Sequence, residues 1–131
     1  MTGLFTPIAD GPTGALEAAD VAAVLRRARY RVSTEGLLHE SIAEALVAAG
    51  VAFERERRVT PGERIDFLVA GGVGIEAKAR CNKRGIYRQL QRYAALEAIT
   101  GLVLVTGTAI GLPGELHGKP LHVVSTGRAM L

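Results

Sequence analysis

Two carboxylates and a lysine lie close together in the stretch ERIDFLVAGGVGIEAK, which spans residues 63–78. They are Asp66, Glu76 and Lys78. Two neighbouring anions repel each other, and each is costly to desolvate unless a cation compensates it. Magnesium is usually held by one or two carboxylates, with water and phosphate oxygens in its remaining positions. Because such an ion polarises a phosphodiester and lowers the pKa of a bound water, these residue types suit metal-dependent phosphodiester hydrolysis.

Lys78 follows Glu76 by two residues, so both side chains point to the same side of an extended strand. An ammonium group in that place could orient the attacking water or offset the charge that grows on the phosphorus. The competing interpretation is a solvated hairpin face, on which Glu76 and Lys78 form a weak surface pair. For the three residues alone that interpretation is the simpler one, because an Asp and a Glu-x-Lys recur by chance in chains of this length.

A β-hairpin must position these residues, because two apolar runs flank the pair Gly71-Gly72. Alternation places the apolar side chains of each strand on one face, namely Ile65, Phe67 and Val69, and then Val73, Ile75 and Ala77. A two-residue turn would put Asp66 and Glu76 on opposite faces. We therefore predict an odd-numbered loop, for example three residues with a glycine in the left-handed conformation, or else a bulge.

The chain has 131 residues, a length that fits one domain with a modest core. No apolar run approaches the length that spans a bilayer, and residues 1–12 lack the features of a secretory signal. We therefore expect a cytoplasmic protein with no membrane partner. Cys81 is the only cysteine, which excludes an internal disulfide and a four-cysteine zinc or iron–sulfur site within the chain. The net charge of +3 mildly favours a polyanionic partner.

Apolar spacing predicts an α/β protein with helices on the faces of a mixed sheet. The predicted helices lie at 15–30, 33–49 and 85–99. The predicted strands lie at 51–59, in the two halves of the hairpin, at 101–107 and at 121–125. Residues 1–14 are typical of a loose arm, 108–118 of a loop and 127–131 of a tail. The first three strands are expected to be antiparallel, and the following crossover helix should deliver a buried strand that is parallel to one of them.

Several charged residues on the helices have two interpretations. Four arginines near the end of the first helix either complement its dipole or contact a DNA backbone; they are Arg26, Arg27, Arg29 and Arg31. Glu40 and Glu44 on the second helix either face solvent, or Glu40 leans over the sheet towards a metal. His39 is a weaker candidate for the same site.

In this order of elements, the residues resemble the PD-(D/E)XK nuclease superfamily. Its restriction-endonuclease-like core runs helix, three antiparallel strands, helix, strand, and here an extra N-terminal helix precedes it. The family motif is an Asp near the start of one strand and (Asp/Glu)-x-Lys on the next, matched by Asp66, Glu76 and Lys78. The family often has a Glu on its first core helix, matched by Glu40. Ile65 stands where the name-giving proline would be.

A subgroup related to the RecB recombination nucleases also carries Gln-x-x-x-Tyr on the following helix, matched by Gln89 and Tyr93. The resemblance covers about residues 33–107 of a single domain at 1–131, with 108–131 forming a loop and a final strand. The cysteines that hold an iron–sulfur cluster in some relatives are absent, so no cluster is implied.

The resemblance implies a role for each matched residue. Asp66 and Glu76 would bind Mg²⁺ or Mn²⁺ together with the carbonyl oxygen of Ala77. Lys78 would position or activate the water, and Glu40 would hold a second metal or a metal-bound water. The catalytic set is therefore Lys78, Glu40, Asp66, Glu76 and Gln89, in which Gln89 would orient Lys78 or the scissile phosphate.

The basic residues beside the motif would bind the DNA backbone, or they form an ordinary solvated helix face. They are Arg80, Lys83, Arg84 and Arg88. Tyr93 is grouped with them as a nucleic-acid-binding residue, although a core residue with its hydroxyl at the edge is the preferred interpretation.

The resemblance therefore implies a metal-dependent deoxyribonuclease, for example one that acts in recombination, repair or Holliday-junction processing. A domain of this size that cuts both strands would act as a homodimer with paired sites. The alternative is a module that keeps the nuclease fold and binds nucleic acid without cutting it. A third possibility is an accessory subunit with no affinity for DNA.

Overall fold

The structure, a computed structural model, describes residues 15–127. The predicted arm at 1–14 and all but the first residue of the predicted tail lie outside the described residues. The helices are α1 (Ala18–Arg26), α2 (Glu35–Ala48) and α3 (Lys83–Ala94). The strands are β1 (Phe53–Thr60), β2 (Glu63–Val69), β3 (Val73–Lys78), β4 (Gly101–Thr106), β5 (Glu115–Leu116) and β6 (Lys119–Ser125).

Side-chain caps fix the residues at which α2 and α3 begin. The Thr34 hydroxyl accepts a 3.0 Å hydrogen bond from the Leu37 N–H at the start of α2. The Asn82 side chain accepts a 2.8 Å bond from the Gly85 N–H, so α3 begins at Lys83, two residues earlier than predicted. Both caps satisfy backbone donors that have no partner inside the helix.

Two helices are shorter than their apolar spacing predicted. α1 ends at Arg26, because the chain beyond it turns so that the Tyr30 hydroxyl donates to the Leu25 carbonyl. α3 ends at Ala94, and the residues that follow form a turn in which the Leu96 N–H donates to the Tyr93 carbonyl. None of the helices within residues 15–127 is long and apolar enough to cross a membrane.

The sheet has six strands in the order β1-β2-β3-β4-β6-β5. β1, β2 and β3 pair antiparallel, whereas β4 pairs parallel with both β3 and β6. This arrangement confirms the predicted α/β class with a mixed sheet. The short strand β5 pairs antiparallel with β6 inside the segment that was predicted as a loop.

The helices cover the two faces of the sheet. Residues of α1 and α2 form one buried cluster with side chains such as Phe67 and Ile75. Residues of α3 form a second cluster on the other face with Leu102 and Leu104. All six residues of β4 are buried, as predicted for a strand that is covered on both faces.

The hairpin between β2 and β3 has the predicted three-residue loop. Phe67 pairs with Ile75 and Leu68 with Gly74, which leaves residues 70–72 between the strands. Gly71 and Gly72 have φ values of 105° and 110°, in the region that side chains rarely adopt.

Gly72→Ala is therefore expected to destabilise the fold by about 2 kcal/mol or more, through strain and a clash. A Cβ atom at Gly72 would lie 2.8 Å from the carbonyl oxygen of Ala98. Urea unfolding measures the loss. Gly62→Ala is the matched control, because a Cβ there meets open space, and its free energy of unfolding should stay within about 0.5 kcal/mol of the wild type. Equal losses in the two variants would contradict this reading of the loop.

The prediction that Ile65 shares a face with Phe67 and Val69 is wrong. Phe67 and Val69 pack with α1 and α2, whereas Ile65 packs with the α3 cluster on the opposite face. A glycine at position 74 leaves the space for it, because a Cβ there would lie 2.3 Å from the Ile65 Cδ1 atom.

A backbone irregularity lies opposite this reversal, on the neighbouring strand β1. Glu56 on β1 has a φ of 50°, which is uncommon for a residue other than glycine. The strand pairing on either side places Glu56 directly opposite Asp66. The reversal of faces between Ile65 and Phe67 therefore lies opposite this left-handed residue, and a second irregularity of the pairing lies nearby, between Arg58 and Thr60.

Candidate active site

The candidate site lies where β2 and β3 separate. The strands pair up to Phe67 and Ile75, and beyond that point side chains replace the backbone ladder. The Ala77 N–H donates a 2.8 Å hydrogen bond to Asp66 Oδ2, and the Asp66 N–H donates a 3.4 Å bond to Glu76 Oε1. Each carboxylate thus bonds to the backbone of the opposite strand, which brings Asp66 and Glu76 side by side. We call this pair of carboxylates, between the separating strands β2 and β3, the fork.

The fork is deficient in positive charge. Glu76 is only 2% exposed, and burial, followed by the neighbouring Asp66, raises its pKa to about 8. Burial also raises the pKa of Asp66, although the Ala77 N–H, His39 and Lys78 oppose that shift. Lys78 Nζ lies 3.8 Å from Glu76 Oε2 and is half-buried. One ammonium therefore faces two carboxylates, an arrangement that favours a further cation.

His39 reaches the fork from α2. Its Nε2 atom lies 3.5 Å from Asp66 Oδ2, and its ring packs against Phe67. The Nε2 atom is buried and has no hydrogen-bond partner among the described residues. Buried polar atoms are normally paired, so an unpaired one indicates a missing partner. This nitrogen could bind a ligand or, in its N–H form, donate a hydrogen bond to Asp66.

The role of Glu40 at a metal stays a prediction, and the structure pairs this residue with β1. Its carboxylate accepts a 3.0 Å hydrogen bond from Arg55 on β1 and is half-exposed. Successive helical residues point about 100° apart, so His39, which approaches Asp66, and Glu40 leave α2 in different directions. Glu44 likewise pairs with Arg31, at 2.8 Å.

Sequence reasoning missed Glu35, whose charge raises the pKa of Asp66. Glu35 is exposed in the first turn of α2 and precedes His39 by four residues. Residues four apart share a helix face, so the spacing of Glu35 and His39 is the signal that could have placed them on the same side of α2.

The donor atoms fit a hard divalent cation in kind. The two carboxylates of the fork are the oxygen donors that such an ion prefers. The imidazole nitrogen of His39 beside them is a softer donor and is not needed for this fit. Within residues 15–127, no three His, Cys, Asp or Glu side chains already stand close enough together to hold a metal ion. The structure bonds the N–H of Ala77 to Asp66, and a role for the Ala77 carbonyl stays a prediction.

Gln89 and Tyr93 form a chain of hydrogen bonds inside the protein. Gln89 Nε2 donates to the Tyr93 hydroxyl at 3.0 Å, and that hydroxyl donates to the Arg64 carbonyl at 3.0 Å. Tyr93 is fully buried, and burial raises the pKa of its hydroxyl. The assignment of Tyr93 to DNA binding is therefore wrong, and Gln89 bonds to Tyr93 rather than to Lys78. The pair fastens α3 to β2 two residues before Asp66.

Tyr93→Phe should therefore destabilise the fold by about 1 to 2 kcal/mol, because it leaves the buried Arg64 carbonyl without its donor. The free energy of unfolding in urea measures this loss. Gln89→Ala keeps the bond to Arg64 and should cost less. The interpretation fails if Gln89→Ala is the more damaging of the two changes.

The predicted DNA-binding residues form an exposed basic surface beside the fork. Arg80, Lys83, Arg84 and Arg88 are all exposed. The ion pairs among residues 15–127 use other cations, including Arg92 on the same helix, which lies 2.8 Å from Glu63. These four cations are therefore available to an anionic partner.

The arginines near the end of α1 are partly engaged within the fold. Arg26 donates a 3.2 Å hydrogen bond to the Val123 carbonyl. Arg31 donates a 2.8 Å bond to Glu44, and its backbone N–H bonds to Ser41. The Arg26 contact ties α1 to β6, and the Arg31 contacts tie the segment after α1 to α2, so both arginines have structural roles.

Comparison of the chain with protein-family models, with curated proteins and with solved structures found no match.

Proposed function

We propose that this protein is a metal-dependent nuclease of the PD-(D/E)XK superfamily that hydrolyses phosphodiester bonds in DNA. The observation that carries the proposal is the fork itself, in which Asp66 and Glu76 are held side by side with Lys78 next to them. Burying two carboxylates together costs stability unless a cation joins them, so a structural role alone does not explain the arrangement.

The order of elements supports the same proposal. From α2 to β4 the chain runs helix, three antiparallel strands, helix and a parallel strand, which is the order of the superfamily core. The positive φ of Glu56 adds to this support, because backbone strain collects at functional sites and here lies opposite Asp66.

In the proposed mechanism, Asp66 and Glu76 would hold Mg²⁺ or Mn²⁺, and the Ala77 carbonyl would be a further oxygen donor. The bound ion would polarise the phosphodiester and lower the pKa of the attacking water. Lys78 holds its ammonium at the edge of the fork, where it orients the attacking water and offsets negative charge on the phosphorus. His39 approaches the Asp66 carboxylate from the α2 side, with Nε2 at 3.5 Å from Oδ2, and would limit the directions in which that carboxylate can turn.

The test is cleavage of a panel of labelled DNA forms, namely single strand, duplex, flap and four-way junction, with Mg²⁺ or Mn²⁺ and with EDTA. The proposal expects cleavage that depends on the metal. Binding without cleavage of any form would instead favour the second candidate, a nucleic-acid-binding module. The lack of three preassembled ligands among the described residues is the observation that favours this candidate. Failure to bind DNA even at low salt would exclude both.

A further inference from the structure

An open cavity of about 670 Å³ lies between α3 and the loop that follows β4. Its lining residues are Lys83, Arg84 and Tyr87 on α3, and Gly111 and Pro113 on the loop. We name it the Tyr87 pocket. It lies beyond the carboxyl ends of the parallel strands β3 and β4, the edge at which β3 also ends in Lys78. Ligands of α/β sheets bind at this edge.

The charge at the mouth of the Tyr87 pocket favours an anion. Lys83 and Arg84 occupy the first turn of α3, which has no acidic residue. The N-terminus of a helix carries partial positive charge, so two cations there oppose the helix dipole and destabilise the helix. Neither cation forms an ion pair with a described residue. An arrangement that is unfavourable in the free protein becomes favourable when phosphate groups bind.

The interior of the pocket favours a flat apolar group. The Tyr87 ring is half-buried, and the lining is mainly apolar. Tyr87 follows Lys83 by four residues and Arg84 by three, so all three side chains share one face of α3. An aromatic ring beside cations is a combination that binds single-stranded nucleic acid, because bases stack on the ring and phosphates bind the cations. A base within a duplex is already stacked and paired, so only an unpaired base can enter.

We propose that the Tyr87 pocket binds an unpaired nucleobase, with its flanking phosphates on Lys83 and Arg84. The preferred substrate is then DNA with a single-stranded segment. The inference rests on the proposed function only for the identity of the polymer, because binding in the pocket does not require cleavage.

The test compares Tyr87→Leu with Tyr87→Phe in EDTA, where metal-dependent cleavage is stopped. Leucine keeps an apolar side chain without the ring, whereas phenylalanine keeps the ring. Fluorescence anisotropy with a labelled oligothymidylate should show a roughly tenfold loss of affinity for Tyr87→Leu and little change for Tyr87→Phe. Affinity for a fully paired duplex of the same length should change little in either variant. Thermal melting confirms that both variants are folded.

The proposal is overturned if the wild type does not bind the oligothymidylate, if Tyr87→Leu binds it as the wild type does, or if single-strand and duplex binding weaken equally. The two proposals fail separately. Metal-dependent cleavage with no effect of Tyr87→Leu on binding would support the proposed nuclease and contradict nucleobase binding in the Tyr87 pocket. A Tyr87 effect on binding with no cleavage of any DNA form leaves the pocket and removes the nuclease.

Discussion

Replacing Lys78 with alanine is expected to lower the rate of the proposed Mg²⁺-dependent DNA cleavage by about a hundredfold to a thousandfold. The Lys78 ammonium lies 3.8 Å from Glu76, at the end of β3, where charge would develop on the phosphate. Because it acts on the transition state, its loss should lower kcat far more than it raises KM. Single-turnover cleavage of a labelled DNA with saturating protein measures this change directly.

Lys119→Ala is the matched control for Lys78→Ala. Lys119 Nζ donates to the Leu96 carbonyl, and its strand β6 is separated from β3 by β4. Its removal takes away a cation and a hydrogen bond outside the fork, so the cleavage rate of the folded protein should stay near that of the wild type. Equal losses of rate in the two variants would mean that Lys78 acts through general charge, and the assigned role would be wrong.

The hairpin and its charges could be predicted because local patterns encode them. The Gly71-Gly72 pair fixes the loop, and the loop fixes the register that sets Asp66 beside Glu76. Ile65 could not be placed, because the reversal of faces accompanies a backbone irregularity at Glu56 on another strand, which the hairpin's own pattern does not contain. Glutamate is not a residue type that favours a positive φ, so the sequence does not predict the conformation of Glu56 in the folded sheet.

The contribution of α2 could not be predicted, for a different reason. A helical pattern shows which face is apolar, but the packing of the helix decides which polar side chain at the boundary reaches the sheet. His39 and Glu40 both lie near that boundary, and a rotation of one residue exchanges them. The spacing of Gln89 and Tyr93 likewise predicted that these two residues pair. The bond from the Tyr93 hydroxyl to the Arg64 carbonyl could not be predicted, because it depends on how α3 packs against β2.

Glu76→Gln is expected to stabilise the metal-free protein at neutral pH by about 3 kcal/mol. In the folded protein the pKa of Glu76 is raised from 4.5 to about 8. At pH 7 folding must therefore add a proton that the unfolded chain does not hold. Glutamine has a similar shape and no charge to desolvate, so the variant avoids this cost and should unfold at a higher urea concentration.

The way the free energy of unfolding changes with pH tests whether the pKa of Glu76 is raised. A raised folded pKa contributes stability that is complete below about pH 4.5 and is lost as the pH rises through about 8. The advantage of Glu76→Gln should therefore be small near pH 4 and should grow up to about pH 8. Glu44→Gln is the matched control, because Glu44 pairs with Arg31 on the surface and its replacement should show no comparable trend. An advantage that does not change with pH would mean that Glu76 is ionised in the folded protein.

Added Mg²⁺ should reverse the order of the two proteins. A ligand that binds only the folded state stabilises it in proportion to the logarithm of its concentration. The wild type keeps the second carboxylate of the fork and should gain stability with Mg²⁺, whereas Glu76→Gln should gain little. The free energy that burying Glu76 beside Asp66 costs the metal-free protein would then be recovered on binding the ion. If Mg²⁺ stabilises both proteins equally, the ion binds elsewhere and the fork is not the metal site.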